Sequence, residues 1–344
     1  MPDVRGVFRS LGQLFWPMLA LVVLLGYNAI VSPGFFHLEM QENGRLYGSM
    51  IDVLQRAAPV LLLALGMTLV IATGGVDLSV GAVMAIAGTV AAYLVSTGHS
   101  FWIALVAAVV VSLLCGLING LLVAGLNIQP IVATLILMVA GRGVAQLISD
   151  GQMIPFTNPL LLFVGGGFLA GIPFAVLLAL GAYLVTHLFV RSTALGLFIE
   201  SVGGNPTASR FAGLPAGLVK CLAYVFSGLC AGAAGLIATS DIHAADPGKS
   251  GLYLELDAIL AVVIGGTALT GGRFSLAGSL LGAILMQALT TTIITRGVQV
   301  EYALIIKALV ILAVCLLQSP RIRTSGLLRR STPKPTLHAS GASE

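Results

Sequence analysis

Charge is scarce in this chain. Aspartate, glutamate, lysine and arginine together make up only 9% of its 344 residues, against about 25% in soluble domains. So few charges cannot cover a water-facing surface, which excludes an ordinary soluble fold. No polar stretch is long enough to fold as a separate domain. Cysteine is scarce too. Cys115, Cys221, Cys230 and Cys315 all lie in apolar runs, without CxxC or metal spacing, and read as small buried hydrophobes. The five histidines form no HExxH and no ligand pair one turn apart. There is no GxxxxGK[ST] phosphate loop, no GxSxG elbow and no aspartate cluster suited to magnesium diphosphate. A chain without these cannot burn ATP through that loop, and nothing places a nucleophile beside a base or a metal for an intramembrane enzyme. The net charge of +4 sits at membrane edges, so no nucleic-acid partner is expected.

What the chain has is apolar length. It is 58% hydrophobic, with a mean hydropathy of +1.03 and 42 glycines. Crossing the hydrocarbon core takes about 20 apolar residues in a helix. Ten candidate spans follow: 14–31, 57–72, 78–96, 101–125, 131–148, 172–190, 218–239, 255–268, 275–295 and 302–318. Spans two and eight are short, and each runs into a Gly-Gly element. Backbone groups in lipid must bond internally, and no long alternating pattern suggests a barrel. The expected fold is therefore an all-α polytopic membrane protein. The glycines fit, because small residues let membrane helices approach closely.

Ten spans put both ends on one side. Placing them inside gives the inner segments eleven basic residues and the outer segments four, in keeping with the positive-inside rule. The expected organisation is a cytoplasmic N-terminus (1–13), a membrane domain (14–318) and a cytoplasmic, basic, disordered tail (319–344). The run after Arg5 and Arg9 is long and lacks a clear A-x-A site, so it reads as a first span and not a signal peptide.

The stretch 73–81, TGGVDLSVG, matches 270–278, TGGRFSLAG, at Thr, both glycines and the last glycine. Each copy follows a short apolar span and opens a long one, which suggests an internal repeat. Halves of five spans would have opposite orientations, yet this topology puts both Gly-Gly elements inside. Gly74 and Gly75 permit a sharp turn, and Asp77 or Ser79 can cap the helix that follows. Two readings stay open. One is a capped turn. The other is a broken-helix element lining a substrate path, formed by Gly74, Gly75, Asp77 and Ser79.

Arg142 and Gln146 lie inside span five and join that candidate path. Arg142 suits a carboxylate partner or sugar hydroxyls. Gln146 and Asn119 also suit hydrogen bonds between helices. Lys307 is close enough to the end of its span to snorkel outwards. Glu255 and Asp257 open span eight, where acidic side chains complement a helix N-terminus. The longest inner loop, 191–217, is semi-polar, and TASRFAG within it can form a short helix ended by Gly213 and Pro215. That helix could dock in a partner's groove or rest on headgroups.

Taken in order, GMTLVIATGGVDLSVGAVMAIAG (66–88), IQPIVATLILMVAGRGVAQLI (128–148), LELDAILAVVIGG (254–266) and GGRFSLAGSLLGA (271–283) resemble the permease subunits of bacterial ABC importers for ribose, xylose, arabinose and related sugars. The resemblance covers nearly all of 14–318. Strings 128–148 and 254–266 lean towards the galactofuranose-carrying branch, which pairs with a second, related permease. The resemblance implies a bacterial inner-membrane location and dimers with another permease copy or a relative. It also implies a cytoplasmic ATPase that binds the ATP, no cofactor in this chain, a periplasmic sugar-binding protein and a monosaccharide substrate. ESVGGNPTASRFAGLP is similar to the family's ATPase-coupling loop, placed at about 196–215. Gly203, Asn205, Ala208 and Gly213 fall on the pattern, with Glu200, Gly204 and Arg210 beside them. The usual Glu-Ala-Ala opening is replaced by Glu200, Ser201 and Val202. The alternative is an ion-coupled secondary sugar transporter, which needs no coupling loop.

Overall fold

The computed structural model describes residues 4–32, 34–40, 45–298, 302, 304–310 and 312, with backbone alone over 4–13. The tail 319–344 and Cys315 lie outside the described residues. Twelve α-helices follow one another within them: α1 (Val4–Val31), α2 (Ser49–Ala72), α3 (Val80–Ser96), α4 (Phe101–Gly120), α5 (Pro130–Ile148), α6 (Pro159–Gly166), α7 (Phe174–Ser192), α8 (Leu195–Gly204), α9 (Pro206–Phe211), α10 (Ala216–Asp241), α11 (Leu254–Ile264) and α12 (Leu276–Thr295). A π turn, Leu121–Gly125, extends α4. Seven of these helices are long and apolar enough to cross a membrane: α1, α2, α4 with its π turn, α5, α7, α10 and α12. Helices α3 and α11 match expected spans but are shorter. The tenth expected span lies largely outside the described residues, of which 304–310 are helical.

Two differences from the sequence reading have plain causes. Helix α2 begins at Ser49, ahead of the expected 57, because Asp52 and Arg56 lie in its opening turns, where charge lowers hydropathy without stopping a helix. Helix α6 was not expected at all. Pro159 starts it, and the Asn158 side chain accepts hydrogen bonds from the Leu160 and Leu161 N–H groups. The Gly165 N–H donates to Ser240 Oγ at 2.8 Å, which pins α6 to α10.

Helix α10 is the centre of the bundle, with α2, α3 and α4 packed around it. Contacts along α10 set the depth of its neighbours. Gly66 of α2 lies against Ser227, and Gly75 lies against the Tyr224 hydroxyl. Asp77 then bonds Ser227 again, at 2.8 Å. The chain thus descends past Ser227, turns at Thr73–Gly75 and climbs back to the level it left. Helix α3 therefore starts beside the middle of α10 and continues upwards, where Met84 meets Gly235 and Gly88 meets Thr239.

Helix α11 is the counterpart. The segment after α10 pairs Ala244–Ala245 with Ile154–Pro155 and then dips into the bundle. Gly251 reaches Gly81, at the start of α3, with backbone against backbone. From there α11 runs in the opposite sense to α12, with Ala261 against Gly282 and Gly265 against Gly278. Its 11 residues span about 16 Å, roughly half of a hydrocarbon core about 30 Å thick. Two helices thus have their N-termini meeting at mid-depth.

The two TGG elements lie at the same end of the bundle. Each turns through left-handed glycines, with φ of 82° at Gly74, 84° at Gly271 and 93° at Gly272. Each leads through a serine, Ser79 or Ser275, into a helix. The matched pair is thus a same-sense feature, and the opposite orientation of five-span halves does not apply to it.

Candidate functional site: paired helix starts and a glycine junction

The start of α3 is a closed polar node. Asp77 is 1% exposed. Its Oδ1 accepts from the Ser79 N–H at 3.0 Å and from Ser79 Oγ at 2.6 Å. Its Oδ2 accepts from Ser227 Oγ at 2.8 Å. Asn119 Nδ2 donates to Ser79 Oγ at 2.8 Å and, at 3.4 Å, to Asp77 Oδ1. Nearby, the Tyr224 hydroxyl and Thr134 Oγ1 both reach the Val76 carbonyl at 3.4 Å. Of the two residues able to cap α3, Asp77 is the acceptor, and Ser79 makes no side-chain cap bond. A carboxylate at a helix N-terminus is favoured by the helix dipole, and with its donors in place its burial is compensated. The node joins α3, α4 and α10.

Above it, Arg142 on α5 holds the dipping segment. Its Nη1 donates to the Ser250 carbonyl at 2.5 Å and to the Pro247 carbonyl at 3.5 Å. Its partners are backbone oxygens, although Glu255 and Asp246 are near enough to act on it electrostatically. Glu255, in the first turn of α11, is 7% exposed, and its Oε2 has no hydrogen-bond partner among the described residues. That oxygen lies against Gly81. Gln146 is exposed on α5 and is not brought to this place. Lys307 does not reach outwards: its Nζ pairs with Asp257 Oδ2 at 2.8 Å.

At the other end of the bundle, α8 and α9 form a compact unit. The Asn205 side chain accepts from the Ala208 N–H at 2.9 Å, and Pro206 occupies the first helical position of α9. Gly213, with φ 84°, follows the end of α9. One face of the unit is inward. Ile199, Val202 and Gly203 are buried there, and Glu200 is half-buried, with Leu69, Val70 and Ala72 of α2 in the same core cluster as Ile199 and Val202. The other face is open and carries Gly204, Asn205, Ala208, Arg210 and Phe211, the last 89% exposed.

The glycine pairs of three distant segments meet at this inward face. A Cβ on Gly203 would overlap the Ala72 carbonyl and the Gly272 nitrogen. A Cβ on Gly271 would lie 2.8 Å from the Gly203 carbonyl and 2.9 Å from the Gly74 backbone. The Gly272 N–H donates to the Ala72 carbonyl at 2.9 Å. The structure thus gathers Gly74 and Gly203 with both glycines of the second TGG, and gathers Asp77 and Ser79 with Asn119 and Ser227. Sequence reasoning missed Ser227 and Tyr224, which carry no motif. It had a signal for Gly271 and Gly272, the repeated TGG itself.

Residues 49–315 match the family described as the permease component of the branched-chain amino acid transport system. The chain belongs to this permease family. It is 51% identical over 311 residues to the galactofuranose transporter permease protein of Escherichia coli, covering 89% of this chain and 91% of that one. It is 42% identical over 315 residues to the fructose import permease protein of Bifidobacterium longum, covering 90% and 88%. Over 308 residues it is 34% identical to the ribose import permease protein of Escherichia coli, covering 88% and 93%. No solved structure matches it. Membership makes the chain a multi-pass membrane permease component, not a catalytic subunit.

Proposed function

We propose that this chain is the membrane-spanning subunit of an ATP-binding-cassette importer that moves a monosaccharide across the bacterial inner membrane by alternating access. The three relatives named above carry sugars by their names, and they align along nearly the whole chain. A galactofuranose-like sugar is the first substrate to try. ATP is bound and hydrolysed by a separate cytoplasmic subunit, and this chain needs no cofactor. A periplasmic binding protein delivers the sugar, and a second copy or a related permease completes the pore. In this reading both ends of the chain face the cytoplasm, in keeping with the bias of basic residues.

The observation that carries this reading is the α8–α9 unit. It presents a short helix with an exposed phenylalanine and arginine on one face and touches both glycine turns with the other. A docked motor that shifts this unit biases the bundle between two packings, each open to one side. The path for sugar runs beside Arg142 and the paired starts of α3 and α11. There, the two helix starts leave backbone and polar groups at mid-depth, as broken helices do in other transporters.

The test is uptake of labelled galactofuranose, ribose and fructose into proteoliposomes that hold this chain, its ATPase and its binding protein. Uptake that needs internal ATP and no ion gradient is the expected result. Uptake that persists without ATP and collapses with an uncoupler would overturn the reading in favour of an ion-coupled carrier.

A further inference from the structure

We infer that Gly203 and Gly271 form a backbone junction that locks the α8–α9 unit to both TGG turns, so that the three move as one body. This rests on the permease reading above and adds where the motor's push enters the membrane domain.

At the junction, three chain segments meet with no side chain between them. Gly203 sits against the Ala72 carbonyl and the Gly272 nitrogen, and Gly271 sits against the Gly203 carbonyl and the Gly74 backbone. The hydrogen bond from the Gly272 N–H to the Ala72 carbonyl, 2.9 Å, ties the second turn directly to the end of α2. Side chains at a contact can change rotamer and absorb a small shift, whereas backbone packed on backbone transmits it. A Cβ on the neighbouring Gly204 would meet open space, so the close fit is confined to one face of α8. Val202 and Ile199 bury the rest of that face against α2.

Each turn joins two helices of the bundle. The first passes through Asp77, whose bonds to Ser79 and Ser227 fasten it to α3 and α10. The second joins α11 to α12, and Gly265 against Gly278 keeps that hairpin closed. Displacement of α8 is therefore delivered to the ends of α2 and α11 and to the starts of α3 and α12 together. Gly203 and Gly271 are positioning residues, and neither needs to touch the sugar.

The experiment uses the complete importer in proteoliposomes. ATP-dependent uptake by the unaltered complex is measured first, and its absence counts against the permease reading, not against the junction. Gly203→Ala and Gly271→Ala are then compared with Gly181→Ala on α7, where a Cβ meets open space. The expected result is that both junction variants still co-purify with the ATPase subunit and hydrolyse ATP. Sugar moved per ATP should fall about tenfold, the size of a coupling change, while Gly181→Ala behaves as wild type. Unchanged sugar per ATP in both junction variants overturns the inference. Should either variant fail to insert, amide exchange on the unaltered complex decides. The Gly272 amide is expected to stay protected both without nucleotide and with ATP trapped. Loss of protection in either state overturns the inference, because the three segments would then part.

Discussion

Lys307 Nζ lies 2.8 Å from Asp257 Oδ2, joining the helical residues 304–310 to the first turn of α11. Both side chains are mostly buried, at 11% and 15% exposed. Removing one partner of such a pair leaves an uncompensated charge and costs about 3–5 kcal/mol. Asp257→Ala and Lys307→Ala should therefore each lower the thermal midpoint of the detergent-solubilised protein sharply. The double variant should recover much of the loss. A double variant no more stable than the worse single one would mean that the two side chains do not depend on each other.

Asp77 is the acceptor for donors from two serines and an asparagine. Asp77→Ala leaves Ser79 and Ser227 with buried donors unsatisfied, at about 1–3 kcal/mol for each group, while Asn119 keeps its bond to Ser79 Oγ. Insertion yield and thermal stability should fall together. Asp77→Asn keeps one acceptor oxygen and should fall less. Equal losses in the two variants, read by fluorescence-detected size-exclusion after heating, would count against the hydrogen-bond account.

Gly75 faces the Tyr224 hydroxyl closely enough that a Cβ there would overlap it. Gly75→Ala should destabilise the turn, and adding Tyr224→Phe should restore it by removing the oxygen. Proteolysis of the solubilised protein reads the difference. Failure of the second substitution to rescue would place the strain in the backbone instead.

Phe211 is the large apolar side chain at the tip of α9 and is 89% exposed. In the proposed complex it fills a pocket on the ATPase subunit. Phe211→Ala should weaken that association by about 2 kcal/mol, as buried aromatic anchors do, with membrane insertion unchanged. Co-purification of the ATPase at reduced concentration checks this.

Much of the fold was legible because hydropathy reports which segments cross lipid. Nine of the ten expected spans correspond to helices, and TASRFAG holds all of α9 except its first residue, Pro206. Depth was not legible. The runs that become α3 and α11 look like the others in composition, and only the contacts of Asp77 with Ser227 and of Gly81 with Gly251 place their starts at mid-depth. Arg142 bonds backbone carbonyls and not the carboxylate expected for it, because the carbonyls of a dipping segment leave no mark in residue type. The same limit hid the meeting of Gly203 with Gly271, since nothing along the chain says which glycines touch. Asp77 and Ser79 were picked out for being polar in an apolar run, and their neighbours on α4 and α10 became visible only in three dimensions.

The contact between Gly81 and Gly251 has one more consequence. Most narrow places in proteins are closed by a bulky side chain, which can swing aside on its own and let water seep past. Here the contact is main chain against main chain, with the Glu255 carboxylate beside it. On the proposed path, a solute passing between the two segments would have to part them whole, and such a barrier would not leak by degrees.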